Sequence, residues 1–208
     1  MRFRSVALAT MVAASLLGCG GGNDSGGFAV TFTPSTTATA PRLVKLVQKS
    51  KSGGRVVVQV VIYGPDASLD MFSFAFDVLI GDPNVLRFVS GSDHPGNALV
   101  PSPGTSQTVD SIAGLGTLPA GGTDFGTVVV GVTKFGDGSG NGISGSSAVV
   151  VELAFDVRSA GTTTLTLAGS GGNAARVFDS NLNVIGTITF DSESASVQGT
   201  SAGGGGGY

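Results

Sequence analysis

The sequence lacks tryptophan and contains one cysteine and one histidine among its 208 residues. One thiol cannot form an internal disulfide, and a single histidine cannot build a histidine-rich metal site or a Cys–His catalytic pair. Ser92, Asp93 and His94 are adjacent in the chain, whereas the members of a catalytic triad come from separate segments, so we interpret His94 as a loop residue. These shortages exclude most catalytic constellations and predict that the chain is not an enzyme.

A pair of carboxylates is the catalytic arrangement that remains open. Glu152 and Asp156 share the polar side of one predicted strand, and Asp77 is a residue that could oppose them. Hydrolases of this kind need two carboxyl groups that face each other across a cleft. A solvated sheet face has the same sequence pattern, and we favour that interpretation.

Exposed aromatic rings and clustered basic residues are also scarce. Two tyrosines accompany twelve phenylalanines, and the phenylalanines fall mainly at positions expected to face a core. Flat polysaccharides are usually bound by stacked exposed rings, so the composition favours a protein partner over crystalline polysaccharide. Eleven Lys and Arg residues oppose fourteen Asp and Glu residues, and because the basic residues form no run, nucleic acid is not an expected partner.

Residues 1–18 have the pattern of a bacterial lipoprotein signal peptide. Arg2 and Arg4 precede an apolar stretch of 12 residues, which is shorter than the about 20 needed to span a bilayer. Leu16-Leu17-Gly18-Cys19 then resembles a lipobox. We therefore predict lipidation at Cys19 and an exported protein, held on the periplasmic face or cell surface by its N-terminal lipid alone. A plain secretory signal is the alternative.

Glycine is abundant, at 35 of 208 residues, and it divides the chain. Glycine-rich stretches predict a tether at 19–27 and a disordered tail at 199–208. Residues 28–198 between them are predicted to form one domain, in which Val, Thr and Phe dominate short periodic runs separated by Gly, Pro and Asp. The predicted fold class is all-β, a β-sandwich with jelly-roll-like topology and about nine strands.

The clearest predicted strands lie between Arg55 and Gly91. Val56–Tyr63 is apolar on both sides apart from Gln59, which is typical of a strand covered on both faces. After a turn, the next run alternates with a period of two. Its inward side is Phe72, Phe74, Phe76 and Val78, and its outward side is Ser73, Ala75 and Asp77.

Gly126–Lys134 is a second alternating strand. Its inward residues are Val128, Val130 and Val132, and its outward residues are Val129, Gly131 and Thr133. The outward sides of both alternating strands are candidates for binding a partner, because their other sides are committed to the core. Ser92–Asp124, by contrast, has little periodicity and predicts a long loop with one weak strand around Thr108–Ile112.

The loop after Lys134 has the spacing of a metal site. Asp137, Ser139 and Asn141 occupy every second position, so their oxygens could point at a Ca²⁺ ion as in the first half of a calcium loop. The position expected for a bidentate glutamate is Ala148, however. We therefore favour a glycine-rich hairpin loop without a cofactor, and Ca²⁺ binding is the alternative.

The order of these segments resembles the cohesin domain family over residues 43–197. The first half of the resemblance is the valine-rich strand, the strand with aromatic alternation, Asp82-Pro83-Asn84-Val85-Leu86 and a short strand ending at Ser90-Gly91. The second half is residues 148–157, the Arg158–Thr162 turn, the strand 164–167 and the segment from Gly171-Gly172-Asn173 to Phe190. The resemblance implies a β-sandwich that holds a protein partner, a dockerin, on the flat face of one sheet, and an association with polysaccharide-degrading assemblies.

The predicted function is therefore a non-catalytic, lipid-anchored, cohesin-like module that holds a dockerin-like protein at the cell envelope. The predicted partner-binding residues are Ser73, Ala75, Asp77, Val129, Gly131 and Thr133. Two alternatives stay open because a shared fold does not fix a shared function. One is a carbohydrate-binding module of the related sandwich type, with polysaccharide as its partner, and the other is a structural envelope lipoprotein.

Overall fold

The computed structural model describes residues 27–101, 103–118, 120–169 and 175–202. The predicted signal peptide, the predicted lipidation site Cys19, most of the tether and the Gly171-Gly172-Asn173 segment lie outside the described residues. Within the described ranges, no helix is long and apolar enough to cross a membrane.

The described part of the chain contains fifteen strand segments. In chain order they are β1 (Phe28–Thr33), β2 (Leu43–Ser52), β3 (Arg55–Tyr63), β4 (Asp66–Met71), β5 (Ser73–Ile80), β6 (Leu86–Phe88), β7 (His94–Pro95), β8 (Thr108–Thr117), β9 (Thr123–Phe135), β10 (Asn141–Ile143), β11 (Ser147–Val157), β12 (Gly161–Ala168), β13 (Arg176–Phe178), β14 (Thr189–Phe190) and β15 (Ala195–Ser201). The count exceeds the predicted nine because five of these segments are only two or three residues long, too short to show a periodicity.

The strands form two sheets that pack face to face. Sheet A has the order β1-β15-β12-β5-β9-β8, with β13 beside β5. Sheet B has the order β14-β2-β3-β11-β6, with β7 beside β11, and β4 and β10 pair separately. The predicted all-β sandwich is confirmed.

Period-two alternation in four central strands places the core between the sheets. Valine and phenylalanine suit this position, because β-branched and aromatic side chains pack well on a pleated surface. Sheet A contributes Phe74, Phe76, Val78, Val128, Val130 and Val132, and sheet B contributes Val56, Val58, Val60, Ile62, Leu153 and Phe155, each at most 1% exposed. The inward and outward assignments of β5 and β9 are therefore confirmed, apart from two residues.

Phe72 and Asp77 depart from the predicted alternation. Phe72 lies between β4 and β5, where the strand is interrupted, and its side chain is half-buried. Its backbone N–H donates to the carbonyl of Phe178 at 2.8 Å. Asp77, predicted on the open outer side, is only 4% exposed. It lies between Val129 of β9 and Ala168 of β12, so neighbours on both sides shield it from solvent.

Three strands are longer than the sequence predicts, and one of them is β9, which begins at Thr123 and not at Gly126. β8 continues from Ile112 to Thr117, and the glycines in this stretch weaken the hydrophobic pattern that would have shown it. β15 continues to Ser201 because β1 pairs with it, with Phe28 opposite Ser201. The strand therefore enters the first residues of the predicted tail at 199–208.

The register predicts which phenylalanines hold the fold together. Phe74 and Phe155 come from opposite sheets and are fully buried, so we expect Phe74→Ala and Phe155→Ala each to lower the free energy of unfolding by about 3–5 kcal/mol. Ser73→Ala is the matched control, since Ser73 points to the outer side of the same strand, and we expect a change within about 0.5 kcal/mol. Urea unfolding followed by circular dichroism measures all three. Equal small losses would contradict the register, because a slip of one residue exchanges the two faces.

Candidate functional site

The six predicted partner-binding residues are brought together by the pairing of β5 with β9. Ser73 lies opposite Thr133, Ala75 opposite Gly131, and Asp77 opposite Val129. Directly opposed residues in an antiparallel pair point to the same side of a sheet. The two outward sets therefore form three adjacent cross-strand pairs on the outer side of sheet A, which we call the open face.

Two further strands widen the open face. In the middle row, Arg176 of β13, Ala75 of β5, Gly131 of β9 and Ile112 of β8 lie side by side across four strands. Ile112 is 73% exposed. Sequence reasoning missed Ile112 because the strand around Thr108–Ile112 was predicted only as a weak one and neither of its sides was assigned. It missed Arg176 because a three-residue strand carries no periodic signal.

The open face has a shallow apolar trough along β9. Its floor is formed by the small residues Ala75 and Gly131, and its sides by Ile112, Val129 and Phe135. Two depressions of about 170 and about 420 Å³ lie along it. Phe135 is 51% exposed and Val129 is 42% exposed, so this face presents clustered apolar side chains to solvent. Such clusters mark interaction sites more often than isolated exposed side chains do.

Gly131 leaves the centre of the trough open. A Cβ atom placed on Gly131 would have no heavy atom within 4 Å, and the residue has no positive φ angle. The backbone therefore accepts a side chain at this position without strain. A substitution at Gly131 changes the surface offered to a partner while leaving the core untouched.

Charge on the open face is confined to its margins. Arg176 is exposed at one end of the middle row, and Asp110 lies at the other side of the face, opposite Thr133. Asp77 is buried. An apolar centre with charged residues at the rim is the usual arrangement of a protein–protein interface.

The three carboxylates that the sequence left open as a catalytic arrangement are not brought together. Asp77 lies on sheet A, whereas Glu152 and Asp156 lie on β11 of sheet B. Glu152 accepts hydrogen bonds from Lys49 at 2.6 Å and from Gln59 at 2.9 Å. The carboxyls of the two sheets therefore belong to separate layers of the sandwich and to separate bonding networks.

Ser92, Asp93 and His94 also have separate roles. The Ser92 hydroxyl accepts a hydrogen bond from the N–H of Ala154 at 3.0 Å, and Asp93 accepts one from the Ser111 hydroxyl at 2.9 Å. His94 was predicted as a loop residue, but it lies in the two-residue strand β7, exposed, opposite Glu152. β11 recruits this segment as a short edge strand, and the three side chains do not form a triad.

The side chain of Lys134 lies against the glycine-rich loop that contains Asp137, Ser139 and Asn141. Lys134 is 1% exposed, and its ammonium donates to the Ser139 carbonyl and to Oδ1 of Asn141, both at 2.9 Å. Asp137 is exposed. A Ca²⁺ ion at the acceptors of Ser139 and Asn141 would have to displace the lysine charge, so the Ca²⁺ alternative requires a rearranged loop.

Asp70 of β4 joins this loop to the turn after β13. It accepts hydrogen bonds from the N–H of Gly140, and from the N–H and hydroxyl of Ser180 at 3.1 and 2.6 Å. Burial raises the pKa of Asp70, but the hydrogen bonds from Ser180 and Gly140 and the charge of Lys134 outweigh burial and hold that pKa below its usual range. Burial in turn lowers the pKa of Lys134, and the charge of Asp70 opposes that change.

The described residues thus form an all-β domain whose sheet A presents the open face. No protein-family model matches the chain, and no curated protein sequence matches it either. The solved structures that resemble it are cohesin modules, the family whose framework the sequence resembles.

Three of these similar structures illustrate the extent of the likeness. One is the type II cohesin dyad from the adaptor ScaA scaffoldin of Acetivibrio cellulolyticus, with 13% identity and a TM-score of 0.48 over 75% of this chain and 48% of that one, so this chain spans about half the length of the dyad. Another is the cohesin module from a family 33 glycoside hydrolase of Clostridium perfringens, with 12% identity and a TM-score of 0.41 over 85% of this chain and 96% of that one. The third belongs to a type I cohesin–dockerin complex from Clostridium thermocellum, with 12% identity and a TM-score of 0.42 over 80% of this chain and 95% of that one. At these identities the likeness concerns the fold alone.

The Asp70 network predicts a pH-dependent contribution to stability. A carboxyl whose pKa is lowered by folding stabilises the fold above its ordinary pKa, and that stabilisation is lost as the pH falls through its pKa in the folded protein. We expect Asp70→Asn to have a lower free energy of unfolding than the parent chain at pH 7. This difference should shrink below about pH 4, and urea unfolding at pH 7 and at a pH below 4 measures it. Asp137→Asn is the control, because Asp137 is exposed in the same loop. A loss for Asp70→Asn that is equal at both pH values would contradict the assignment.

Proposed function

We propose that this chain is a non-catalytic, lipid-anchored binding module that holds a protein partner on its open face. The observation that supports the proposal best is the convergence of six predicted outward residues into three adjacent cross-strand pairs. The inward sides of the same strands are buried in the core, so the outward sides are the part of these strands that is left for binding.

The shape of the open face favours a protein. Small residues along the centre allow a partner backbone or side chain to approach closely, and the exposed Ile112 and Phe135 provide apolar contact area. Stable protein interfaces bury about 1,200–2,000 Å² in total. The four adjacent strands of the middle row offer a broad flat surface for such an interface, with Arg176 and Asp110 positioned to select the orientation of the partner.

The alternative of a carbohydrate-binding module has less support. Sugar-binding faces place rings flat against the ligand, and the sequence has no tryptophan. Tyr63 is on sheet B, where the Lys45 ammonium lies 4.9 Å from the centre of its ring. On the open face, Phe135 is the ring that is more than half exposed among the described residues.

The framework resemblance to cohesins makes a dockerin-like protein the partner we propose. Lipid attachment at Cys19 would place the module at the cell envelope, on the periplasmic face or cell surface, and the cohesin resemblance links it to the degradation of polysaccharides. Cys19 follows a short apolar segment and precedes a glycine-rich tether. Two or three acyl chains on one cysteine give stable attachment to a membrane where one chain does not.

The test uses two variants that separate binding from anchoring. Gly131→Arg places a long charged side chain in the centre of the open face, so we expect at least about a hundredfold weaker binding of a protein captured from the source envelope, with membrane attachment unchanged. Cys19→Ser removes the lipidated atom, so we expect the opposite pattern, with the chain in the soluble fraction after a salt wash and partner binding retained. Calorimetry measures binding, and sedimentation measures attachment.

Gly27→Arg is the matched control for folding and charge. A Cβ at Gly27 also has no heavy atom within 4 Å, and the residue has no positive φ angle. Gly27 precedes β1, which β15 and β12 separate from β5, so this variant should bind like the parent chain. Equal binding by Gly131→Arg and the parent would refute the open face as the docking site. Retention of soluble glycans by Gly131→Arg, with no protein bound by the parent, would support the carbohydrate-binding alternative, and the absence of any specific partner would support a structural envelope protein.

A further inference from the structure

A further pocket lies beside β6 and shares Leu115 of β8 with the larger depression of the open face. It has a volume of about 260 Å³ and is lined by residues of β6 and the segment after it, together with Leu115, Asp156 and Arg158. Two of its lining residues, Arg87 and Arg158, are cationic. The volume is below the about 300–1,000 Å³ of typical drug-sized sites, so the pocket suits a small ligand or a single group of a larger one.

The carboxylate of Asp156, which also lines the pocket, forms its hydrogen bonds with Arg55 and not with Arg87 or Arg158. Arg55 donates from Nε to one oxygen of Asp156 at 2.7 Å and from a terminal nitrogen to the other at 2.9 Å. This two-pronged pairing holds the pKa of Asp156 below its usual range against the effect of burial, and the charge of Arg158 acts in the same direction. Arg55 and Asp156 thus form a bidentate salt bridge beside the pocket.

Arg87 lies directly opposite Asp156 in the pairing of β6 with β11, yet it forms no salt bridge with it. Its guanidinium instead stacks on Phe125, 4.3 Å from the ring centre. Stacking fixes the plane of a guanidinium and leaves its edge N–H groups free to donate. The ring therefore orients Arg87 for a ligand without consuming its hydrogen-bond donors.

Arg158 supplies a second free guanidinium. Its backbone N–H donates to the carbonyl of Val85 at 2.8 Å, which fixes the base of the side chain beside the pocket. Among the described residues, neither Arg158 nor Arg87 forms a salt bridge. Three arginines, Arg55, Arg87 and Arg158, surround the single carboxylate of Asp156, so the cluster has an excess of positive charge on a chain whose net charge is −3.

We propose that this pocket binds a carboxylate group, held between the guanidiniums of Arg87 and Arg158. Arginine matches the planar carboxylate with two parallel hydrogen bonds, and such charge-assisted bonds are the stronger class. The Ser90 hydroxyl, which also lines the pocket, adds a neutral donor. A sugar acid and an acidic amino acid both present this group.

The proposal is tested by titrating the ¹⁵N-labelled full chain at low ionic strength with sodium glucuronate, N-acetylglutamate and glucose. We expect saturable shifts of the arginine Nε–H signals of Arg87 and Arg158 with both acids and none with glucose. A tighter response to glucuronate identifies a sugar acid as the ligand, and equal responses identify the carboxylate alone, so both results support the site. Unmoved signals, or equal movement with glucose, would overturn it.

Matched variants separate a specific site from general attraction between charges. Arg158→Gln removes an exposed side chain and should weaken acid binding about tenfold, the loss expected for charge-assisted hydrogen bonds. Arg176→Gln removes another exposed arginine, which does not line the pocket, and should leave acid binding unchanged. Equal weakening by both would overturn the proposal, because it would show that net charge alone attracts the acids.

Two further variants test the role of Arg55 as a positioning residue. Asp156→Asn removes the negative charge beside the pocket and should strengthen acid binding. Arg55→Gln frees Asp156 to pair with Arg87 or Arg158, so it should weaken binding although Arg55 does not line the pocket. The same sign of change in both variants would contradict the arrangement.

Discussion

The fold and its open face both depend on the register of β5 against β9. In a strand, successive side chains point to opposite sides, so the pairing that buries Phe74, Phe76 and Val78 also presents Ala75 to solvent. A shift of one residue would expose three core side chains and bury the small residues of the trough. The stability of the core therefore fixes the composition of the binding surface.

Buried lysines organise two loops of this domain. Lys134 lies at the end of β9 and gathers the loop that follows it, through the Ser139 carbonyl and the Asn141 side chain. Lys45 does the same for the segment after β1, donating to the carbonyls of Thr36 and Ala38 at 3.1 and 2.6 Å. A buried ammonium is costly unless its donors are satisfied, so each lysine confines its loop to a conformation that brings carbonyl oxygens to it.

The sequence predicted the parts of the structure that periodicity controls. The inward sides of β5 and β9, apart from Phe72, and their outward sides, apart from Asp77, were assigned correctly, because long strands of alternating polarity report their two faces directly. The burial of Asp77 was missed because shielding by β12 is a long-range contact with no local signal. The calcium alternative arose because alternating Asp, Ser and Asn residues offer oxygen ligands. In the folded chain, the Ser139 carbonyl and the Asn141 side chain accept hydrogen bonds from Lys134 at the end of β9.

The parts that escaped prediction share a physical origin. Ile112 and Arg176 reach the open face through the pairing of β8 and β13 with the two central strands, and short or glycine-rich strands are defined by their partners more than by their own pattern. The free guanidiniums of Arg87 and Arg158 likewise depend on Arg55 and Phe125, which are distant in sequence. Contacts of this kind require the assembled sandwich.

The most direct test of the open face is hydrogen exchange of the chain with and without its protein partner. If the partner docks on the open face, exchange slows in the complex for peptides from 73–80, 108–117 and 123–135 and is unchanged for peptides from 43–52, 55–63 and 147–157. Protection confined to the second group would place the partner on sheet B and contradict docking on the open face.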